Sequence, residues 1–550
     1  MTLRDAHLFG VARHKPYSDL VREFRWDIPE AFNFGVDVVD AWAAERDGLA
    51  ILWENAAGDQ ASYRFSDVAR LSNQLAHTLR RLGVRKGDRV AVMLPRIPEW
   101  QIAMIACLKL GAVVIPCIEM LTQRDIEYRV RNSEAKAAIC RAEQAQKFAT
   151  VVDAVPVRIA IGSVPGWLDW REAIVAGADS FAPERVAAED PTIMYYTSGS
   201  TGHPKGVLHA SRGLYAWRIA AFYWLDLTPE DRIWCTADTG WSKAGTSVIW
   251  GPWSCGACAF MYDGPYVPSE RVRLLAKHRV TVFCASGTEL NRLASEDFTN
   301  LDISALRRTI SAGEAVSPII AERWEKASGC KVSEAYGQTE ALMMVLNYPS
   351  EPLRYGSMGR PQPGLDIAIV DDDGHRVADG EEGHVALRAP SPQLMLEYWK
   401  DPKRTAACYV DGPDGTWYLS GDRGTRDAEG WYWYAGRSDD VINSAGYRIG
   451  PLEVENAIME HPSVQECAVV ASPDPDRGEI VKAFVVLKDG VAPSPALTKA
   501  LQDHVKAVTA PYKYPRAIEY VPELPKTVTG KIRRRSLRDM EFEHAKSRIP

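Results

Sequence analysis

The sequence predicts an α/β protein in two parts: a large N-terminal domain of α/β subdomains plus a β-rich subdomain, and a small α+β C-terminal domain. Three observations carry this reading. Strands alternate with helices from about residue 70 to 140, short strands between Gly and Asp turns fill 355–437, and the texture changes again near Gly436.

Leu71, Leu75, Leu79 and Leu82 recur at helical spacing, and Gly83 with Lys86-Gly87-Asp88 stops that helix. RVAVML (89–94) is a short apolar strand, Pro98 to Leu110 reads as a helix, and AVVIP (112–116) and AKAAIC (135–140) read as strands. Such alternation marks βαβ units and a parallel sheet. LDIAIV, GHVALR and GWYWYAG supply the β-rich stretch. Further on, Pro451 suits the first turn of a helix running through Ile458. VQECAVVAS and IVKAFVVL are strands, and Leu497 to Val508 is a helix. The boundary falls at Asp439, giving domains 1–438 and 439–550.

Bulk properties narrow the class. A chain of 550 residues suggests roughly two to four domains. Its apolar share of 46% is enough for real cores, and a net charge of -7 argues against general nucleic-acid binding. The start has no apolar core of signal-peptide length. The most apolar stretch, Ala91 to Met120, is broken by Arg96, Pro98, Glu99 and Lys109, too soon for a membrane helix. A soluble, cytoplasmic protein is expected. Ten cysteines in so long a chain do not make a disulfide framework, and the lone CxxC of Cys255 and Cys258 reads as buried thiols.

Chemistry concentrates first in Thr197-Ser198-Gly199-Ser200-Thr201-Gly202-His203-Pro204-Lys205-Gly206, after the strand-like PTIMYY. Such a loop brings backbone N–H groups and hydroxyls against phosphate oxygens, and Lys205 adds charge for the β and γ phosphates. It is not a Walker A loop, because the GxxxxGK spacing is absent. A flexible surface loop would carry the same glycines, but the rigid Pro-Lys-Gly ending argues against one.

YTSGSTGHPKG resembles the phosphate-loop signature of the acyl-adenylate-forming superfamily, which holds acyl-CoA synthetases, peptide-synthetase adenylation domains and beetle luciferases. Further motifs follow in that superfamily's order. They are Ser311-Ala312-Gly313-Glu314-Ala315, Glu334-Ala335-Tyr336-Gly337-Gln338-Thr339-Glu340, Ser420-Gly421-Asp422, Gly436-Arg437-Ser438-Asp439-Asp440, Ala445-Gly446-Tyr447-Arg448-Ile449-Gly450 and Pro525-Lys526-Thr527-Val528-Thr529-Gly530-Lys531. The resemblance spans nearly the whole chain and implies ATP, Mg²⁺ and CoA as reactants and cofactors.

Each motif has a physical reading beside its resemblance. Gly313, Glu314 and Ala315 let a flat adenine slide against backbone, and Tyr336, in the nucleotide segment that also holds Glu334, Ala335, Gly337 and Gln338, offers a ring to stack on it. Thr339 can donate to the α-phosphate. Glu340, with Thr201, can hold Mg²⁺, a hard cation that prefers oxygen. Asp422 can accept from both ribose hydroxyls, and Arg437 can reach ribose or phosphate. Taken singly, a core tyrosine, a turn-capping aspartate and a solvated glutamate would be the plainer readings; the ordered set reverses that.

Lys531, in TVTGKIRRR, would be a solvated lysine by charge pattern alone. The resemblance makes it the catalytic lysine, together with Thr339 and Glu340. It reaches into the adenylation site on a mobile C-terminal domain and stabilises charge as the acid attacks the α-phosphorus. The same resemblance makes Asp439 the hinge of a rotation that withdraws Lys531 and presents Ala445, Gly446 and Tyr447 to the CoA arm. Acetylation would remove the charge of Lys531, so a lysine acetyltransferase and deacetylase are expected partners. Where many members carry Lys, this chain has Asn443. VINSAGYRIGP is similar to the acetyl- and medium-chain acyl-CoA synthetases, and SPDPDRGEIVKAFVVL, TAPYKYPR and LPKTVTGKIRR resemble the medium-chain group. These stretches make Arg477, Tyr514 and Arg516 candidates for the CoA nucleotide.

Acetate-activating members carry Trp where this chain has Gly337, so the resemblance implies an open tunnel for a longer or branched acyl chain. Trp241, in Thr239-Gly240-Trp241-Ser242-Lys243, belongs in or near that pocket, and Val248 and Trp250 imply an apolar lining. No dedicated cation for a second carboxylate is visible, which disfavours dicarboxylic acids. The expected protein is an AMP-forming acyl-CoA synthetase for a medium-chain or branched acid. The alternatives are an aromatic acid, loading of a free carrier protein, a luciferase-like oxidation, and a nucleotide-binding regulator without catalysis.

Overall fold

The computed structural model describes residues 14–197, 204–437, 440, 442–444, 447–474, 477–509, 511–526 and 532–546. Its strands form three sheets.

The N-terminal alternation builds an eight-stranded sheet. Arg89–Met93 pairs in parallel with Val113–Pro116 and Ala135–Arg141, and Val113–Pro116 with Pro191–Thr197. The expected leucine stripe lies on helix Phe65–Arg81, which buries Val68, Leu75 and Leu79. Leu82 is 40% exposed, because the helix ends one residue before it. Helix Pro98–Lys109 opens on a proline, where the missing N–H is no loss. It is buried on every side, so its terminal Lys109 needs internal partners: Asp40, the Asn73 amide oxygen and the Ala69 carbonyl. Among the described residues no helix is long and apolar enough to cross a membrane. At the sheet's other side, Lys205–Ala210 returns antiparallel to Pro191–Thr197 with Thr197 opposite Lys205, and Glu397–Tyr398 closes the edge. The two ends of the phosphate loop are thus fixed neck to neck.

A second sheet places Arg232–Cys235, Val282–Cys284, Arg308–Ala312 and Val332–Gln338 in parallel. It then turns antiparallel through Leu342–Leu346 and Ser357–Pro361. From there it runs on into Tyr432–Arg437, Gly415–Arg426, Gly383–Arg388 and Ile367–Val370. The β-rich stretch therefore does not stand apart. Hydrogen bonds across Ser357–Pro361 make it an extension of the parallel sheet.

The third sheet takes the strands Ile442–Ser444, Tyr447–Ile449, Val464–Asp474, Gly478–Leu487 and Ala517–Tyr520. Helices Pro451–Met459 and Pro495–Val508 cover it around Val454, Ile458, Val469 and Leu501. Among the described residues, every strand from 442 onward belongs to this sheet. Asp439, the expected hinge, lies outside the described residues.

Candidate active site

Ligands of open α/β sheets bind beyond the carboxyl ends of the parallel strands, and the candidate residues gather there, where the first two sheets meet. Glu340 follows strand Val332–Gln338 of the second sheet; Lys205 opens a strand of the first. Their side chains meet at 2.9 Å. Tyr398 joins them: its hydroxyl donates to Glu340 Oε1 at 2.9 Å and accepts from Lys205 Nζ at 2.6 Å. Burial alone would raise the Glu340 carboxyl, but the Lys205 charge and the bonds from Lys205 and Tyr398 hold it below the usual range. A buried carboxylate kept charged is what a hard cation requires, so Glu340 fits Mg²⁺. Among the described residues no group of three His, Cys, Asp or Glu forms a metal cluster.

Thr339 is held from two sides. Its hydroxyl lies 3.1 Å from Ser242 Oγ, and its carbonyl accepts from His209 Nε2 at 2.6 Å. His209 is fully buried, which pushes its pKa down to about 4 although the Thr339 carbonyl and Glu340 pull the other way. The folded imidazole stays neutral to about pH 4, whereas in the unfolded chain it takes a proton near 6.5. Between those values the unfolded state binds more protons, so stability falls as pH falls. The loss amounts to about 3 kcal/mol once pH passes the folded value. Melts of the wild-type protein between pH 7 and 4 should show this acid slope (about pH 7 being the neutral end of the window), and His209→Gln should flatten it. An unchanged slope would remove His209 from the account.

Asp422, on strand Gly415–Arg426, is the second hub. Tyr336 Oη donates to Oδ2 at 2.6 Å and Gln338 Nε2 at 3.2 Å; Tyr434 Oη and Arg437 Nη1 reach Oδ1 at 3.4 and 3.3 Å. Burial raises its carboxyl above the usual range, against the pull of Arg437. Tyr418 fixes Gln338 by donating to its Oε1. The Tyr336 ring lies 6.3 Å from that of Tyr434, so two aromatic rings flank the carboxylate.

Other residues of the nucleotide set divide. Gly313, at φ 88°, and Ala315 are exposed at the loop after Arg308–Ala312. Glu314 accepts from the Thr288 N–H at 3.0 Å. Glu334 accepts from the Val316 N–H at 2.8 Å, so it braces the 313–316 loop. Burial pushes its carboxyl up to about 7. Ala335 packs into the hydrophobic core. Thr197 Oγ1 is buried without a partner among the described residues, an open hydrogen-bonding position at the neck of the phosphate loop. Ser198, Gly199, Ser200, Thr201, Gly202, Ala445, Gly446 and Lys531 lie outside the described residues. Tyr447 opens the strand Tyr447–Ile449. Of the other CoA candidates, Arg477 Nε donates to Ser444 Oγ at 3.3 Å, while Arg516 pairs with the Tyr514 hydroxyl at 2.9 Å.

The acyl side departs most from expectation. A Cβ at Gly337 would lie 2.1 Å from the Leu342 carbonyl oxygen. The glycine serves the close approach of the hairpin's return. Trp250 is fully buried against Phe34 at 4.9 Å, and Val248 is 5% exposed, so both belong to the core rather than to an open lining. Trp241 is half-buried, with Nε1 unpartnered among the described residues. All ten cysteines are free, and all but Cys408 are buried.

Tyr398, His209, Ser242 and Tyr434 escaped the sequence reading. Lys205 and Tyr398 are 193 residues apart, and no local pattern marks the pair.

Known proteins are similar to this chain over most of its length. The family model described as AMP-binding enzyme matches residues 39–399, and that of the AMP-binding enzyme C-terminal domain matches 453–531. Acyl-coenzyme A synthetase ACSM3, mitochondrial, of Mus musculus is 39% identical, covering 96% of this chain and 93% of its own. Acyl-coenzyme A synthetase ACSM5, mitochondrial, of Homo sapiens is 39% identical over 94% of this chain and 91% of its own. Among solved structures, the anthranilate CoA ligase AuaEII in complex with anthranoyl-AMP superposes with a TM-score of 0.85 at 31% identity, covering 94% of this chain and 99% of its own. The benzoate CoA ligase of Burkholderia xenovorans gives 0.82 at 30% identity, over 92% and 100%. The chain belongs to the AMP-binding enzyme family of AMP-forming acid–thiol ligases. It is an ATP-dependent acid–CoA ligase. The cytoplasmic location expected from the sequence is overturned, since these relatives are named as mitochondrial.

Proposed function

We propose that the enzyme activates a medium-chain or short branched carboxylic acid, as part of fatty-acid metabolism. The observation that carries this is the joined pair of hubs, Lys205–Glu340–Tyr398 and Asp422–Tyr336–Gln338, bridged by the consecutive residues Gln338, Thr339 and Glu340. One oxygen of the acid attacks the α-phosphorus of ATP and pyrophosphate leaves; the CoA sulfur then attacks the acyl carbon and AMP leaves. Lys205 holds the β and γ phosphates, Thr339 donates to the α-phosphate, and Asp422 accepts from the ribose hydroxyls. Mg²⁺, when bound, offsets phosphate charge; Glu340 and Thr201 are the residues to hold it. Lys531 supplies positive charge at the α-phosphate during the first step. Rotation about Asp439, between domains 1–438 and 439–550, then brings Ala445, Gly446 and Tyr447 to the thiol. Arg477, Tyr514 and Arg516 meet the CoA nucleotide. Acetylation of Lys531 would silence the first step.

The acid is read from relatives. Identity is higher to the acyl-CoA synthetases, at 39%, than to the anthranilate and benzoate ligases, at 31% and 30%. An aromatic acid is therefore the second reading. The relatives' names also support a mitochondrial setting. AMP and pyrophosphate release against acetate, butyrate, isobutyrate, hexanoate, octanoate and benzoate, with and without CoA, tests the whole. Acyl-CoA formation peaking between butyrate and octanoate is expected. A benzoate peak would move the substrate class, and pyrophosphate release without acyl-CoA would point to a carrier protein.

A further inference from the structure

Tyr398 stands between the two charges of the phosphate site, and main chain puts it there. The Leu396 N–H donates to the Leu208 carbonyl and the Trp399 N–H to that of Gly206, each at 2.7 Å. These bonds tie the segment to the strand that Lys205 opens. On the other side, the Met395 N–H donates to the Glu340 carbonyl at 2.8 Å. The Tyr398 N–H itself donates to Thr405 Oγ1 at 2.9 Å. One short segment thus stitches Lys205 and Glu340 together through backbone, with the phenol between them.

The phenol hydroxyl has one proton, and an ammonium has no lone pair. Tyr398 can therefore only accept from Lys205 Nζ, at 2.6 Å, and its own proton goes to Glu340 Oε1, 2.9 Å away. Lys205 Nζ lies 2.9 Å from that same oxygen. The Tyr398 ring packs in a core cluster with Val207, Met344 and Tyr418. A phenylalanine would pack there equally well, so packing does not account for the hydroxyl.

Nucleotide binding disturbs this triangle. Once Lys205 turns to the β and γ phosphates, Glu340 loses its cation. A buried carboxylate without a donor is costly. Among the described residues, the side chains that donate to Glu340 are Lys205 and Tyr398. Tyr398 is fixed by its strand, so it is the donor that stays.

We propose that Tyr398 is a positioning residue for the metal: its hydroxyl holds the Glu340 carboxylate in place while Lys205 changes partner, so that Mg²⁺ and triphosphate can be bound together. The proposal rests on the reading that Glu340 serves Mg²⁺ and Lys205 the β and γ phosphates.

The test is a binding measurement. With no acid present ATP is bound and not consumed, so calorimetry gives its Kd with excess Mg²⁺ and with Mg²⁺ chelated. The ratio of the two values measures how far the metal helps ATP to bind. In Tyr398→Phe the ratio should fall by about 10-fold or more, the worth of a hydrogen bond to a charged group. In Lys205→Met, where Tyr398 still holds Glu340, ATP should bind more weakly under both conditions and the ratio should persist. A ratio unchanged in Tyr398→Phe overturns the proposal. So does a ratio lost in Lys205→Met, and that arm decides alone if the phenylalanine variant does not fold. Glu340→Gln separates the proposal from the reading beneath it. If Glu340→Gln collapses the ratio and Tyr398→Phe does not, the role of Tyr398 fails and Glu340 keeps its own. If Glu340→Gln leaves the ratio intact, both fail.

Discussion

Replacing Lys531 by alanine should slow pyrophosphate release by about 10³-fold while leaving the enzyme able to make acyl-CoA from preformed acyl-adenylate. The asymmetry is the point. A preorganised charge aimed at the α-phosphate acts only while negative charge builds there, and the thiol step takes place at the acyl carbon. Rapid-quench measurement of the two half-reactions separates them. Lys531→Gln, which keeps a polar end but not the charge of the native side chain, should behave like the alanine variant, and so should protein acetylated at this position. Equal losses in both halves would show that Lys531 supports the fold or the binding of both substrates, and the proposed role would fail.

Asp422→Ala should lower kcat/KM for ATP by roughly 10²- to 10³-fold, chiefly through KM. Each hydrogen bond from a ribose hydroxyl to a carboxylate is worth about 1.5–3 kcal/mol, and the side chain offers two acceptor oxygens. In the structure those oxygens are shared by Tyr336, Gln338, Tyr434 and Arg437. The variant therefore also leaves Tyr336 without an acceptor, at a stability cost of about 1–3 kcal/mol. Melting temperature and KM must be read together. Loss of stability with KM for ATP unchanged would make Asp422 a structural hub only.

Local pattern made much of this molecule legible. The alternation of strands and helices gave the parallel sheets, and Pro451 marked its helix because a proline at that position has one geometric use. The phosphate-side residues were legible because their motifs are contiguous: Thr339 and Glu340 come with Gln338 on the end of one strand. What stayed hidden were partners joined only by the fold. Tyr398 lies 58 residues from Glu340 on a two-residue edge strand, too short to have a period. His209 sits in a strand where a core histidine would look the same. The acyl pocket was read by a different route. Gly337 was read from what other members place there, whereas its own cause is local, the Leu342 carbonyl 2.1 Å from where a Cβ would stand.

The salt bridge between Lys205 and Glu340 joins the first sheet to the second, with side chains 22% and 9% exposed. Because it forms on folding, the ammonium has already shed most of its water before any nucleotide arrives. Phosphate capture is then a change of partner within a dehydrated site, and the dehydration that usually erodes a phosphate–lysine contact falls on folding instead of on binding. A protein arranged this way gives up some stability of its own so that its encounter with triphosphate can be brief and still selective.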